Sequence, residues 1–178
     1  MIRKQYHEDV VRQLKKYRLL AENGISQVPD DSFFKSLDKE SNSIATIMKH
    51  MAGNMISRWT DFFTTDGEKN RERDLEFEIT EQDTKDSISH LWEEGWEITF
   101  RTISSLKPDD FDKTIYIRQE PHTVLEAVNR QLTHYAYHVG QIIFLAKYFA
   151  NEPWKSLSIP KGKSKDYEVA RDGIRYKQ

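Results

Sequence analysis

The sequence predicts an all-α fold: a four-helix bundle with long connections and a small two-stranded β appendage. Three observations carry this expectation. Apolar residues recur at three- and four-residue spacing in four long stretches, the period of helices with one face turned to a core. Capping residues, Asn-Gly, Asp-Gly and proline punctuate those stretches. Hydrophobic residues make up 37% of the 178 and charged residues 31%, which suits a small helical protein with a heavily charged surface.

The first helix is expected over residues 3–22. Tyr6, Val10, Leu14, Tyr17 and Ala21 share a face, and Asn23-Gly24 supplies a stop. After a turn at Pro29-Asp30, the second helix is expected over residues 39–63. Its apolar stripe is Ile44, Ile47, Met48, Met51, Met55, Trp59 and Phe62, and Thr65-Asp66-Gly67 ends it. Residues 68–74 are almost all charged and read as exposed. Residues 75–79 (Leu-Glu-Phe-Glu-Ile) alternate apolar and acidic, the pattern of a half-buried strand.

Thr80, with Asp83 three residues on, reads as the cap of a third helix over residues 80–106. Ile88, Leu91, Trp92, Thr99, Ile103 and Leu106 are expected to face inward, and Pro108 closes the helix. A second strand over residues 114–118 is expected to pair with the first. The fourth helix, residues 123–149, carries Val124, Leu125, Val128, Leu132, Val139, Ile142, Ile143, Leu145 and Phe149 around most of its circumference, so it should lie centrally. No repeat or linker divides the chain. Residues 1–178 read as one domain, with about 166–178 as a flexible tail.

Composition excludes several classes. The mean hydropathy is −0.78, and the longest apolar run is residues 142–146, too short to span a membrane. The first residues lack a secretory signal's apolar stretch, so a cytoplasmic location is expected. A net charge of −2 argues against a nucleic-acid footprint, and the basic run 161–165 reads as a solvated terminus. With no cysteine in the chain, disulfides, thiolate nucleophiles and cysteine-ligated zinc are excluded.

Residues 129–141 (Asn-Arg-Gln-Leu-Thr-His-Tyr-Ala-Tyr-His-Val-Gly-Gln) are the most informative stretch. His134 and His138 lie one turn apart on one helical face, a spacing at which two imidazoles can converge on one metal ion. Gln131, His134, His138 and Gln141 form a polar strip on an otherwise apolar helix. A third candidate, His50, lies in the second helix within residues 48–54. Two readings compete: a metal site, if the three meet, or hydrogen-bonded and half-exposed histidines. Three neutral imidazoles without a carboxylate suit Zn²⁺, and Ni²⁺ or Fe²⁺ less decisively, and leave a ligand position open for chemistry. The second nitrogen of each ring then needs an acceptor, for which Asn54, Gln131 and Tyr135 are candidates. His7, His90 and His122 read as ordinary. Metal affinity is expected to decline below about pH 6.5, where free histidine protonates.

These segments resemble the DinB/YfiT-like proteins over roughly residues 1–165. The likeness is strongest in residues 49–54 with Arg58-Trp59, in Ile117-Arg118 through residues 121–124 (Pro-His-Thr-Val), and in residues 129–141. It implies a four-helix bundle holding a divalent metal, zinc before nickel or iron, by His50, His134 and His138. It also implies thiol-dependent chemistry: S-transfer using bacillithiol, mycothiol or glutathione, or a mycothiol-dependent isomerisation, and frequent homodimers. The expected function is therefore a metal-dependent S-transferase acting on a small-molecule thiol and an electrophile. Arg58 and Arg130 are candidates for contact with an anionic cosubstrate, against an ordinary surface salt bridge. The alternatives are a metal-dependent hydrolase, for which no base is evident, and a non-enzymatic bundle stabilised by metal.

Overall fold

Four helices account for most of the chain: α1 (Ile2–Ile25), α2 (Ile44–Trp59), α3 (Lys85–Ser105) and α4 (Val124–Phe149). The computed structural model describes residues 1–69, 71–170 and 173–176. Helix α2 packs chiefly on α3, and α1 on α4, while α2 and α4 meet between the pairs. Gly95 lets α2 and α3 approach closely, since a Cβ there would lie 3.2 Å from the Ala52 Cα. Trp59, Trp96 and Tyr135 are the largest fully buried side chains. Among the described residues no helix is long and apolar enough to cross a membrane.

Helix α2 is shorter at both ends than its apolar stripe implies. Asp38 Oδ1 accepts from the amides of Glu40 (2.9 Å) and Ser41 (2.8 Å), a local turn that competes with helix. The helix starts only where Ser43 Oγ accepts from Thr46 N at 3.1 Å. At the other end Asp61 takes a φ of 49° and breaks the helix, although Phe62 stays buried. Thr80 and Asp83 do bond, amide to carboxylate at 2.7 Å, but upstream of α3. Thr84 and Ser87 form the capping box that begins it. Thr123 and Glu126 cap α4 in the same way.

The β appendage is present, but its partners differ from expectation. Strand β1 (Thr114–Ile117) pairs antiparallel with β2 (Glu120–Thr123), in the register Thr114↔Thr123 through Ile117↔Glu120. The turn between them places both Arg118 (φ 56°) and Gln119 (φ 64°) in the left-handed region, the demand of a tight two-residue hairpin. The Asp66 carboxylate holds that turn, accepting from the amides of Arg118 (3.0 Å) and Gln119 (2.7 Å). Residues 75–79 are not a strand. A 3-10 turn over Arg73–Phe77 lies against α2, with Glu76 buried and Leu75, Phe77 and Ile79 exposed. The alternation does not hold as two faces: Glu76 alone turns inward, where it meets His50 and Arg71, while Glu78 is exposed with the apolar residues.

Helix α4 is not enclosed all round. Tyr137, Phe144 and Tyr148 are exposed along one side, and Leu125 is exposed near its start. Within the stretch expected as a flexible tail, the described residues form a second antiparallel hairpin, β3 (Tyr167–Ala170) with β4 (Gly173–Tyr176). Residues 171, 172, 177 and 178 of that stretch lie outside the described residues.

Candidate functional site

The packing of α2 against α4 brings His50 to His134 and His138. The His134 and His138 ring centroids are 4.6 Å apart, and His50 lies 5.4 Å and 4.9 Å from them. One ligand nitrogen from each ring lies within 4.8 Å of the other two. Among the described residues this is the one cluster of histidine or acidic side chains able to hold a metal ion. His7 instead bonds the Ile103 carbonyl at 2.7 Å, His90 is exposed, and His122 sits in the β1–β2 hairpin.

Two outer ring nitrogens have partners other than those expected. His50 Nδ1 donates to Glu76 Oε2 at 2.9 Å, and His138 Nδ1 donates to Gln141 Oε1 at 2.8 Å. Gln141 is oriented in turn by donating to the Tyr137 hydroxyl at 3.2 Å. Each contact fixes a tautomer in which Nε2 carries the lone pair. Glu76 also receives Arg71, from Nε at 2.6 Å. Burial alone would raise the Glu76 pKa. Hydrogen bonds from His50 and Arg71, with the Arg71 charge, outweigh it and hold the carboxylate below its usual range.

Gly53 makes room for this carboxylate. It lies three residues after His50 on the same face of α2, and a Cβ there would sit 2.4 Å from Glu76 Oε1. Phe77 stacks on His50 from the same turn, with centroids 4.6 Å apart. Of the expected partners, Tyr135 belongs to the core: its hydroxyl accepts from Trp59 Nε1 at 2.9 Å, and burial pushes its pKa up. Asn54 and Gln131 are buried beside the triad, and Asn54 Oδ1 and Gln131 Oε1 have no hydrogen-bond partner.

A cavity of about 330 Å³ opens over His50 and His134, with Asn54, Gln131, Thr133 and Tyr137 in its wall. Burial is the main force on the rings. It pushes His134 down to about 3, helped by His138, His50, Arg71 and Arg130, and His138 down to about 4, against the pull of Gln141. Both are therefore neutral near pH 7. Three neutral imidazoles thus converge, two of them with Nε2 left as the free lone pair, a donor set that a cation can occupy. A tetrahedral zinc ion with Zn–N bonds of about 2.0–2.1 Å would set its ligand nitrogens about 3.3–3.4 Å apart. His50 Nε2 and His134 Nε2 are 3.4 Å apart. The donor set, the His50–His134 spacing and the Glu76 carboxylate behind one ring fit a divalent metal.

Fold and site together define a DinB-like helical bundle with a histidine triad that could hold a metal ion. Residues 1–163 match the family described as a protein of unknown function, DUF1572, and the chain belongs to that family. Among solved structures, the DinB-like protein YjoA from Bacillus subtilis is similar, with a TM-score of 0.61 at 15% identity. That similarity covers 84% of this chain and 96% of the other, and it is a likeness of fold. Comparison with curated proteins finds no match.

Proposed function

We propose that His50, His134 and His138 hold a divalent metal, zinc foremost, at the centre of a thiol-dependent transferase. The observation that carries this reading is the convergence of three imidazoles beneath an open cavity, two of them with their outer nitrogens already anchored. A divalent ion there would lower the pKa of a low-molecular-weight thiol and favour its thiolate. The protein's own part is to fix the ring orientations, exclude bulk water on the α2 and α4 sides, and keep one face open. In the reaction the thiol proton leaves to solvent through the mouth. Sulfur then forms a bond to an electrophilic carbon, and the leaving group departs with the electron pair of the broken bond.

The hydrolase reading needs a general base. Glu68 is the carboxylate in the cavity wall, and it accepts from Arg58 (3.2 Å), Arg71 (3.5 Å) and Arg118 (3.0 Å). Those contacts outweigh its burial and hold its pKa below the usual range, which makes it a poor proton acceptor. Transfer is favoured for that reason. A homodimer is proposed to use the α4 side bearing Tyr137, Phe144 and Tyr148, which are 60%, 64% and 66% exposed.

The test combines metal analysis with an assay of bacillithiol or glutathione conjugation to 1-chloro-2,4-dinitrobenzene. Wild-type protein purified without a histidine tag should carry about one metal per chain and accelerate conjugation. His134→Ala should lose both. Equal conjugation rates in the two proteins would overturn the transferase reading. Tightly held metal that azide and imidazole cannot reach would favour a purely structural clip.

A further inference from the structure

We propose that the same cavity contains a subsite for a small dianion, a molecule presenting two negative charges on carboxylate or phosphate oxygens. Arg73 and Arg130 would grip it at the mouth, with Arg58 in the wall. Its role as a cosubstrate anchor rests on the transferase reading of the triad; the binding of the anion does not.

Charge is the first observation. Five arginines line the cavity: Arg58, Arg71, Arg73, Arg118 and Arg130. The carboxylates that meet them are Glu68 in the wall and Glu76 behind Arg71. Five against two leaves a surplus of three positive charges in a chain whose net charge is −2. A concave site lined by one sign concentrates counter-ions of the other.

The pairing pattern shows where the surplus sits. Glu68 is shared by Arg58, Arg71 and Arg118, and Glu76 is taken by Arg71. Arg73 and Arg130 have no ion-pair partner among the described residues. Both are exposed, so each can swing onto a ligand without breaking an existing contact. Two guanidinium forks at one mouth suit planar carboxylates or a phosphate, which accept bidentate pairs.

The third observation is buried. Arg58 is 2% exposed, and its Nε and Nη1 have no acceptor, although Nη2 reaches Glu68. Burial already pulls its pKa down against the Glu68 charge. Buried charged donors without acceptors are rare in folded proteins and ask for a partner. Asn54 Oδ1 and Gln131 Oε1, in the same wall, are acceptors without donors. These atoms are closed to solvent, with Arg58 Nη1 against Gly67, so Arg58 lends the wall its charge while Arg73 and Arg130 make the contacts.

Calorimetry with chelator-treated protein in low-chloride buffer tests the proposal, with succinate, inorganic phosphate and neutral succinamide as probes. Wild-type protein should bind succinate or phosphate and ignore succinamide, and the tighter of the two acids names the source of the charge. Arg73→Gln/Arg130→Gln should weaken that binding at least tenfold while melting at the wild-type temperature. Arg101→Gln/Lys147→Gln removes two exposed charges on α3 and α4 away from the cavity, and should bind as wild type. No binding of either acid below 5 mM (roughly −3 kcal/mol), or binding unchanged in the double arginine variant, overturns the subsite. Metal content separates this from the triad reading. The arginine variant should keep its metal, whereas His134→Ala should lose metal and retain the anion. If His134→Ala keeps its metal, the triad reading fails and the anion subsite stands alone.

Discussion

Glu76→Ala removes the acceptor of both His50 Nδ1 and Arg71, and its two consequences have separate readouts. The first concerns metal. With the 2.9 Å contact gone, nothing selects the His50 tautomer, and only packing such as the Phe77 stack holds the ring toward His134. Loss of such a partner typically costs 10–100-fold in metal affinity, or about 1.4–2.7 kcal/mol. The second concerns stability. The Arg71 side chain is 6% exposed and would keep only Glu68, at 3.5 Å. Removing one partner of a buried pair costs about 3–5 kcal/mol. The Glu76 side chain is 11% exposed, so the lower end applies, about 3 kcal/mol. For a chain of this size that is a fall in Tm of about 6–12 °C. Glu76→Gln should separate the effects, because its carbonyl can still accept from His50 while its amide cannot neutralise Arg71. Zinc affinity by chelator competition, alongside melting of metal-free protein, measures both. If Glu76→Ala binds zinc within twofold of wild type although its Tm falls, Glu76 serves only the fold and the tautomer argument is refuted.

Gly53→Ala should reproduce the metal defect with Glu76 intact, since the new Cβ would lie 2.4 Å from Oε1. Alanine gains up to about 1 kcal/mol of helix propensity, so a more stable protein with unchanged zinc affinity would contradict the close fit. Tyr135→Phe should leave zinc affinity unchanged while costing about 1–3 kcal/mol, because Trp59 Nε1 is left buried without an acceptor; urea unfolding and zinc titration together check this. In metal-free protein, His134 and His138 titrate near about 3 and about 4 when folded, below the unfolded value near 6.5. The unfolded chain therefore takes up protons first. Stability is complete above pH 6.5 and falls toward pH 4, by about 1.4 kcal/mol per unit for each ring. Constant stability from pH 7 to 5 in urea would show that these rings are not buried as described. The same shift moves proton competition for metal at these two rings well below the pH 6.5 expected from free histidine.

The helices were legible because their information is local. Apolar spacing placed all four, and Thr123 with Glu126 marks the start of α4 in sequence as in structure. The errors fall where a distant residue decides. Nothing in Arg118-Gln119 advertises a two-residue hairpin turn, because neither residue is glycine or asparagine. The turn closes on Asp66, more than fifty residues upstream. The competing strand, residues 75–79, has the right alternation but no paired edge, and its one buried residue is Glu76. Helix α2 was overextended because Phe62 is buried without being helical, and because the Asp38 turn satisfies backbone amides that a longer helix would have used.

The site divides along the same line. The histidine triad could be found from spacing and resemblance, because ring type and helical period are written in the chain. Of the two groups behind the rings, Gln141 lies on the polar strip of α4 itself, although the candidates taken from that neighbourhood were Asn54, Gln131 and Tyr135; Glu76 could not be found by looking along the same helices. Glu76 arrives from residues 75–79, whose alternation reads as a half-buried strand rather than as part of a site. One local mark of it does exist. Glycine in the interior of α2 costs about 1 kcal/mol relative to alanine, yet Gly53 stands one turn from a buried histidine. It neither ends nor kinks the helix. The remaining use for a missing Cβ at that place is to admit another group against the helix surface. The group next to an imidazole with an unsatisfied N–H is most favourably a carboxylate. A mid-helix glycine three or four residues from a candidate ligand thus indicates that a partner comes from elsewhere in the chain. In this protein the acidic positions of residues 68–78 were the ones to try.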